Sequence, residues 1–82
     1  MTVTVRFLGG LKHQGRHRRL ELQLPDGATV RDLETALSER GIDVGSGELV
    51  VTVNGRGLRQ WPPHRPVSAG DEVAVFRAVA GG

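Results

Sequence analysis

The group on this chain with the most to offer chemically is its last. The sequence ends Ala80-Gly81-Gly82, and the α-carboxylate is carried by Gly82. Glycine has no Cβ, so a Gly-Gly end can enter a narrow site as bare backbone. A carboxylate at neutral pH is a poor electrophile because its negative charge repels nucleophiles. Converting it to a mixed anhydride supplies a leaving group, and an unhindered glycyl carbon is then open to attack. Activation of the protein's own C-terminus is therefore the chemistry this ending suits. The plainer reading is a frayed end, since chain termini are often poorly ordered.

Other residues of catalytic type lack the company they need. Gly10 and Gly15 have the spacing of a phosphate-binding loop, but Arg16-His17 follow where Lys and then Ser or Thr are required. His13 and His17 stand four apart, yet no cysteine or nearby carboxylate completes a three- or four-ligand metal site. His64 has no partner in sequence, and Ser38, Ser46 and Ser68 fall into no visible Ser-His-Asp arrangement. The absence of cysteine removes disulfides, thiolate metal sites and a thiol nucleophile. We expect a chain that is not itself an enzyme and binds neither metal nor cofactor.

Size and charge narrow the class. Eighty-two residues suffice for one domain. With 38% hydrophobic and 24% charged residues, the composition is that of a soluble globular protein. The net charge is only +2, a weak basis for binding nucleic acid. Lys12, Arg16, Arg18 and Arg19 form a basic stretch, but Phe7 is the one aromatic near it, so the stacking residues of a single-strand binder are missing. No apolar run approaches the length of a membrane span, and Met1-Thr2-Val3-Thr4-Val5-Arg6 has no signal-peptide character. The expectation is a cytoplasmic protein with neither nucleic-acid nor membrane partner.

The elements that would present the tail follow from periodicity. Val3, Val5 and Phe7 alternate with polar residues, as do Leu20, Leu22 and Leu24, predicting two antiparallel strands joined by a long loop. After the turn Pro25-Asp26-Gly27, Thr29 reads as a helix N-cap, with Asp32 three residues on giving an approximate capping box. Val30, Leu33, Ala36 and Leu37 then mark one face of a helix ending at Gly41. Residues 42–48 read as a loop, Leu49 to Val53 as a third strand stopped by Asn54-Gly55, 58–66 as irregular covering structure, and Glu72 to Phe76 as the last strand. Trp61, among Pro62, Pro63 and Pro66, caps the core edge or meets a partner. The order is ββα then ββ. It predicts an α+β fold with one helix on one face of a mixed four- to five-stranded sheet, the folded domain covering 1–76 and a flexible tail 77–82.

Strand parity adds a candidate docking face. If Val5, Phe7, Leu22, Val51, Val53, Val73 and Val75 face the helix, then Leu8, Val50 and Phe76 face the other way. Three apolar side chains on an open face beside the tail would suit a partner protein. The alternative is edge packing under a loop.

The strand and helix order, the helix start at Thr29-Val30, Val53-Asn54-Gly55, Gly70-Asp71-Glu72-Val73 and Val79-Ala80-Gly81-Gly82 together resemble the ubiquitin-like sulfur carriers. These are the β-grasp proteins of the molybdopterin-synthase small-subunit and thiamine sulfur-carrier type. The first half, with Leu24-Pro25-Asp26-Gly27-Ala28-Thr29-Val30, looks like the molybdopterin branch, whereas the long insertion carrying Trp61 is closer to the thiamine type.

The resemblance implies a protein co-substrate. An E1-like enzyme would use ATP and magnesium to adenylate the carboxylate of Gly82. A sulfur donor protein would then convert it to a thiocarboxylate, and a downstream synthase would accept the sulfur. Gly81 and Ala80 would thread the tail into the activating site, and Leu8, Val50 and Phe76 would dock. Two alternatives share the fold: a modifier conjugated through Gly82 to lysines, and a β-grasp binding module whose tail is inert.

Overall fold

The computed structural model describes residues 1–9 and 18–78. Five strands form one mixed sheet: β1 (Thr2–Phe7), β2 (Arg19–Gln23), β3 (Leu49–Val53), β4 (Arg56–Gly57) and β5 (Val73–Arg77), in the spatial order β2-β1-β5-β3-β4. β1 and β5, first and last in the chain, lie side by side and parallel at the centre, and all other pairs are antiparallel. The helix α1 (Val30–Glu39) covers one face. This is the β-grasp arrangement.

The helix begins and ends where local chemistry dictates. Asp32 N–H donates to Thr29 Oγ1 at 3.3 Å, and Thr29 N–H donates to Asp32 Oδ2 at 2.9 Å, completing the capping box. Two more first-turn donors are satisfied from the proline-rich segment: Val30 N–H by Arg65 O at 2.9 Å, and Arg31 N–H by Pro63 O at 3.0 Å. At the other end Gly41 takes φ 83°, Gly41 N–H donates to Ser38 O and Ile42 N–H to Leu37 O. That is a Schellman motif, and it folds Ile42 back against the helix.

The core lies between the sheet and α1. Val3, Val5, Phe7, Leu22, Val51, Val53, Val73 and Val75 are buried from the sheet, and Val30, Leu33 and Leu37 from the helix. The loops contribute Ala28, Ile42, Leu58 and Val67. Truncating a fully buried residue such as Leu33 or Leu58 to Ala costs about 2–5 kcal/mol in a core of this kind. The buried residues of this layer are all apolar.

Four details differ from the periodicity reading. Asn54 and Gly55 take φ 52° and 80°, the paired positive values of a type I′ turn, so the chain returns as β4. The loop after α1 contains a 3₁₀ turn at Val44–Ser46, and the segment after β4 begins with another at Leu58–Gln60. β5 starts at Val73 rather than Glu72 and runs through Arg77. The Glu72 N–H is instead taken up by Asn54 Oδ1 at 2.9 Å.

Candidate functional site

Because β1 and β5 are parallel neighbours, both leave the sheet at the same end. There Ala78 N–H donates to Glu48 O at 3.0 Å, just before β3 begins. Gly47, Glu48, Arg77 and Ala78 line a shallow depression around this point. Gly82, Gly81 and Ala80 lie outside the described residues, but the site from which they depart is fixed.

Next to that departure point, on the face away from α1, the sheet carries an apolar row. Val50 and Phe76 are register partners across β3 and β5. Leu8 N–H donates to Val75 O at 2.9 Å, which sets Leu8 level with Phe76 on the other side. Val50 and Phe76 are half-buried, while Leu8 is 46% exposed, the one large hydrophobic side chain so open among the described residues. Parity thus places these three residues together on the open face, opposite the core set.

The next row along the strands is of another kind. Arg6 on β1 is the register partner of Arg19 on β2 and, on its other side, of Ala74 on β5. Beyond it Thr4 is paired with Glu21, and Glu72 stands just before β5 on the strand next to β1. The open face is therefore banded, running from apolar at the tail end, through cationic, to anionic.

The other residues singled out by type have structural work or stand apart. Ser46 Oγ donates to Asp43 O at 3.1 Å and accepts from Glu48 N–H at 3.2 Å, so it shapes the loop before β3. Ser68 offers its N–H to Asp71. Ser38 and His64 are exposed, and no cluster of metal-ligating residues occurs among the described residues. Gly10, Lys12, His13, Gly15, Arg16 and His17 lie outside them. None of the described helices is long and apolar enough to cross a membrane.

Trp61 belongs to the helix side, not to the tail end. Its Nε1–H donates to Val53 O at 3.0 Å, the ring packs on the core, and the guanidinium carbons of Arg65 and Arg56 lie 4.3 and 4.9 Å from its centroid. Arg65 also donates to Asp71 Oδ2 at 3.2 Å, and Asp71 accepts from Ser68 N–H and Asn54 Nδ2–H. Burial of Asp71 opposes its charge. The Arg65, Ser68 and Asn54 hydrogen bonds, with the Arg65 charge, outweigh that and hold its pKa at about 2. This cluster ties the 58–72 segment to the sheet. Sequence reasoning missed it and the Arg6–Arg19 pairing, since both depend on register between segments far apart in the chain. Ile42 had a local signal, a hydrophobic residue just after the helix-ending glycine.

The model of the ThiS family matches residues 5–82, from the first strand through both terminal glycines. None of the curated proteins matches the chain in sequence. Several solved structures share its fold. A candidate molybdopterin converting factor subunit 1 from Pyrococcus furiosus superposes with a TM-score of 0.68 at 25% identity, over 95% of this chain and 98% of the other. SAMP1 from Haloferax volcanii, a small archaeal modifier protein, gives 0.67 at 23% identity over the full length of both. A complex of subunits 1 and 2 of the molybdopterin-converting factor from Helicobacter pylori gives 0.63 at 23% identity, again over the full length of both chains. The β-grasp sheet, the open apolar row beside the departing tail and a family match that reaches Gly82 agree, and the chain belongs to the ThiS family of ubiquitin-like sulfur carriers and modifiers.

Proposed function

We propose that this protein is a sulfur carrier whose reactive group is the Gly82 carboxylate. An E1-like enzyme holding ATP and magnesium adenylates it: a carboxylate oxygen attacks the α-phosphorus and pyrophosphate leaves. A persulfide on a sulfur donor protein then attacks the glycyl carbonyl carbon and displaces AMP. A thiol cleaves the resulting acyl disulfide, leaving a thiocarboxylate on Gly82. That sulfur passes to a metabolite held by a downstream synthase. The chain itself contributes the electrophile, the glycine tail that reaches it and the surface that docks, and the catalysis is its partners' work. We assign this work to the cytoplasm, where ATP is supplied.

The observation that carries the proposal is the family match running through Gly81 and Gly82. Docking through Leu8, Phe76 and Val50 is supported by their shared row beside Ala78. We rank molybdopterin assembly first among acceptors, ahead of thiamine assembly and tRNA thiolation, on the likeness at 25% identity to a candidate molybdopterin converting factor subunit. The test is intact mass after incubation with the host's E1-like enzyme, ATP and a sulfur donor. A gain of one sulfur in place of oxygen supports the carrier.

A second reading is favoured by the likeness to an archaeal modifier protein. The activated Gly82 carbonyl would be transferred to a lysine amine. Isopeptide-linked Gly82 on other proteins in host lysate would identify this use.

A further inference from the structure

We propose that Arg6 and Arg19 are a partner-reading pair. In this proposal the open face of the sheet fits an activating enzyme that sets carboxylates behind the apolar patch receiving Leu8, Phe76 and Val50. The inference rests on the reading that the tail is threaded into such an enzyme.

Three observations lead there. First, the register sets two like charges opposite one another. Phe7 N–H donates to Arg18 O at 2.7 Å and Met1 N–H to Leu24 O at 2.7 Å, so the hydrogen-bonded pairs of the β1–β2 ladder are the odd-numbered β1 positions. Arg6–Arg19 is then a non-hydrogen-bonded pair, the kind in which cross-strand side chains approach most closely. Like charges directly opposite weaken a sheet.

Second, none of the ion pairs among the described residues engages them. Both arginines are exposed, and the ion pairs of the described residues are Met1–Asp26, Arg59–Glu34 and Arg65–Asp71. The nearest carboxylates on this face, Glu21 and Glu72, stand a full row away, about 7 Å along the strands. Elsewhere on the same ladder the sequence places a favourable non-hydrogen-bonded pair, with Gln23 Nε2–H donating to Thr2 Oγ1 at 2.8 Å. The sheet can therefore accept cooperative pairs at such positions, yet holds two cations where the tail-end row begins.

Third, the pair is continuous with the docking row. Thr4, Arg6, Leu8 and Ala74 line one depression on the open face, whose far side is formed by Asp71, already bonded to Arg65, and Glu72. A partner that covers Leu8 also covers Arg6. Carboxylates of the partner there would pair with both arginines, and the bands of charge would fix the orientation in which the tail points. Charge complementarity of this kind acts mainly on encounter rate and on rejection of wrong poses.

The experiment uses the full chain, the host's E1-like enzyme and ATP–pyrophosphate exchange. Arg6→Thr and Arg19→Thr should melt at or above the wild-type temperature, because repulsion is removed. The double variant Arg6→Glu with Arg19→Glu should raise KM about tenfold at low salt with kcat unchanged, and the difference should shrink at high salt. An unchanged KM at low salt, or threonine variants that melt lower, would overturn the proposal. So would an unchanged KM accompanied by lost binding to single-stranded RNA, which would assign the pair to nucleic acid. If wild-type protein supports no exchange, the reading of Gly82 fails instead. Binding of wild type and the double variant to the same enzyme without ATP then still decides the role of the pair.

Discussion

Ala78 is tied to Glu48 by a backbone hydrogen bond of 3.0 Å, at the end of the sheet where the central strand β5 leaves it. This bond sets the origin from which the C-terminal glycines reach. Gly82 is the fourth residue beyond Ala78, so its carboxylate lies at most about 17 Å from the Ala78 nitrogen in a fully extended chain. A partner that docks on the apolar row must place its reactive site within this reach.

The apolar row gives the first prediction. Phe76 faces away from the core and stands opposite Val50. Phe76→Ala should cost the fold about 1 kcal/mol, because it removes a half-buried cross-strand contact. It should weaken docking to the activating enzyme by about 2 kcal/mol or more, as truncation of a central aromatic anchor does. Melting curves and the KM for the carrier measure the two effects. A variant that cannot fold would assign Phe76 to the core.

The second prediction concerns pH. Asp71 has its pKa lowered from 3.8 to about 2 in the folded protein. Its stabilisation is present above the unfolded value and is lost as pH falls from 3.8 through about 2. The shift corresponds to about 2–3 kcal/mol at most. Urea unfolding of wild type between pH 5 and pH 2 should show this loss. Asp71→Asn should be less stable at neutral pH and flatter across the same range.

Trp61 supplies a third test of where function does not lie. Trp61→Phe removes the donor to Val53 O and should cost the fold about 1–2 kcal/mol. KM and kcat for loading should stay unchanged, because Trp61 sits on the helix side of the sheet. A raised KM at wild-type stability would assign Trp61 to an interface.

What the sequence made legible was what is decided locally. Thr29, Asp32 and Gly41 announce the helix because capping is satisfied within a few residues. The alternation of Val3, Val5 and Phe7 separates the buried from the open face because strand period is a property of the backbone. Leu8, Val50 and Phe76 were found by the same parity. β4 escaped because two residues carry no period, and Leu58 and Val67 escaped because isolated apolar residues in a segment of prolines and turns do not show which way they point. The Arg65–Asp71–Asn54 cluster and the Arg6–Arg19 pair are set by register between distant segments, which no local pattern encodes. The Gly81-Gly82 ending stands in the sequence itself, and the family match extends through both residues.

The most direct test of the account is loading of a tail variant. Deleting Gly82 moves the carboxylate back by about 3.3–3.6 Å, and a misplacement of about 1 Å can already cost a hundredfold in rate. Gly81→Val puts a branched side chain where bare backbone is needed. Neither change touches the core, so stability should move by less than about 0.5 kcal/mol. The measurement is intact mass after reaction with the host's E1-like enzyme, ATP and sulfur donor. The account predicts a thiocarboxylate on wild type and none on either variant, with all three folded. A Gly82 deletion that loads sulfur at the wild-type rate would contradict it.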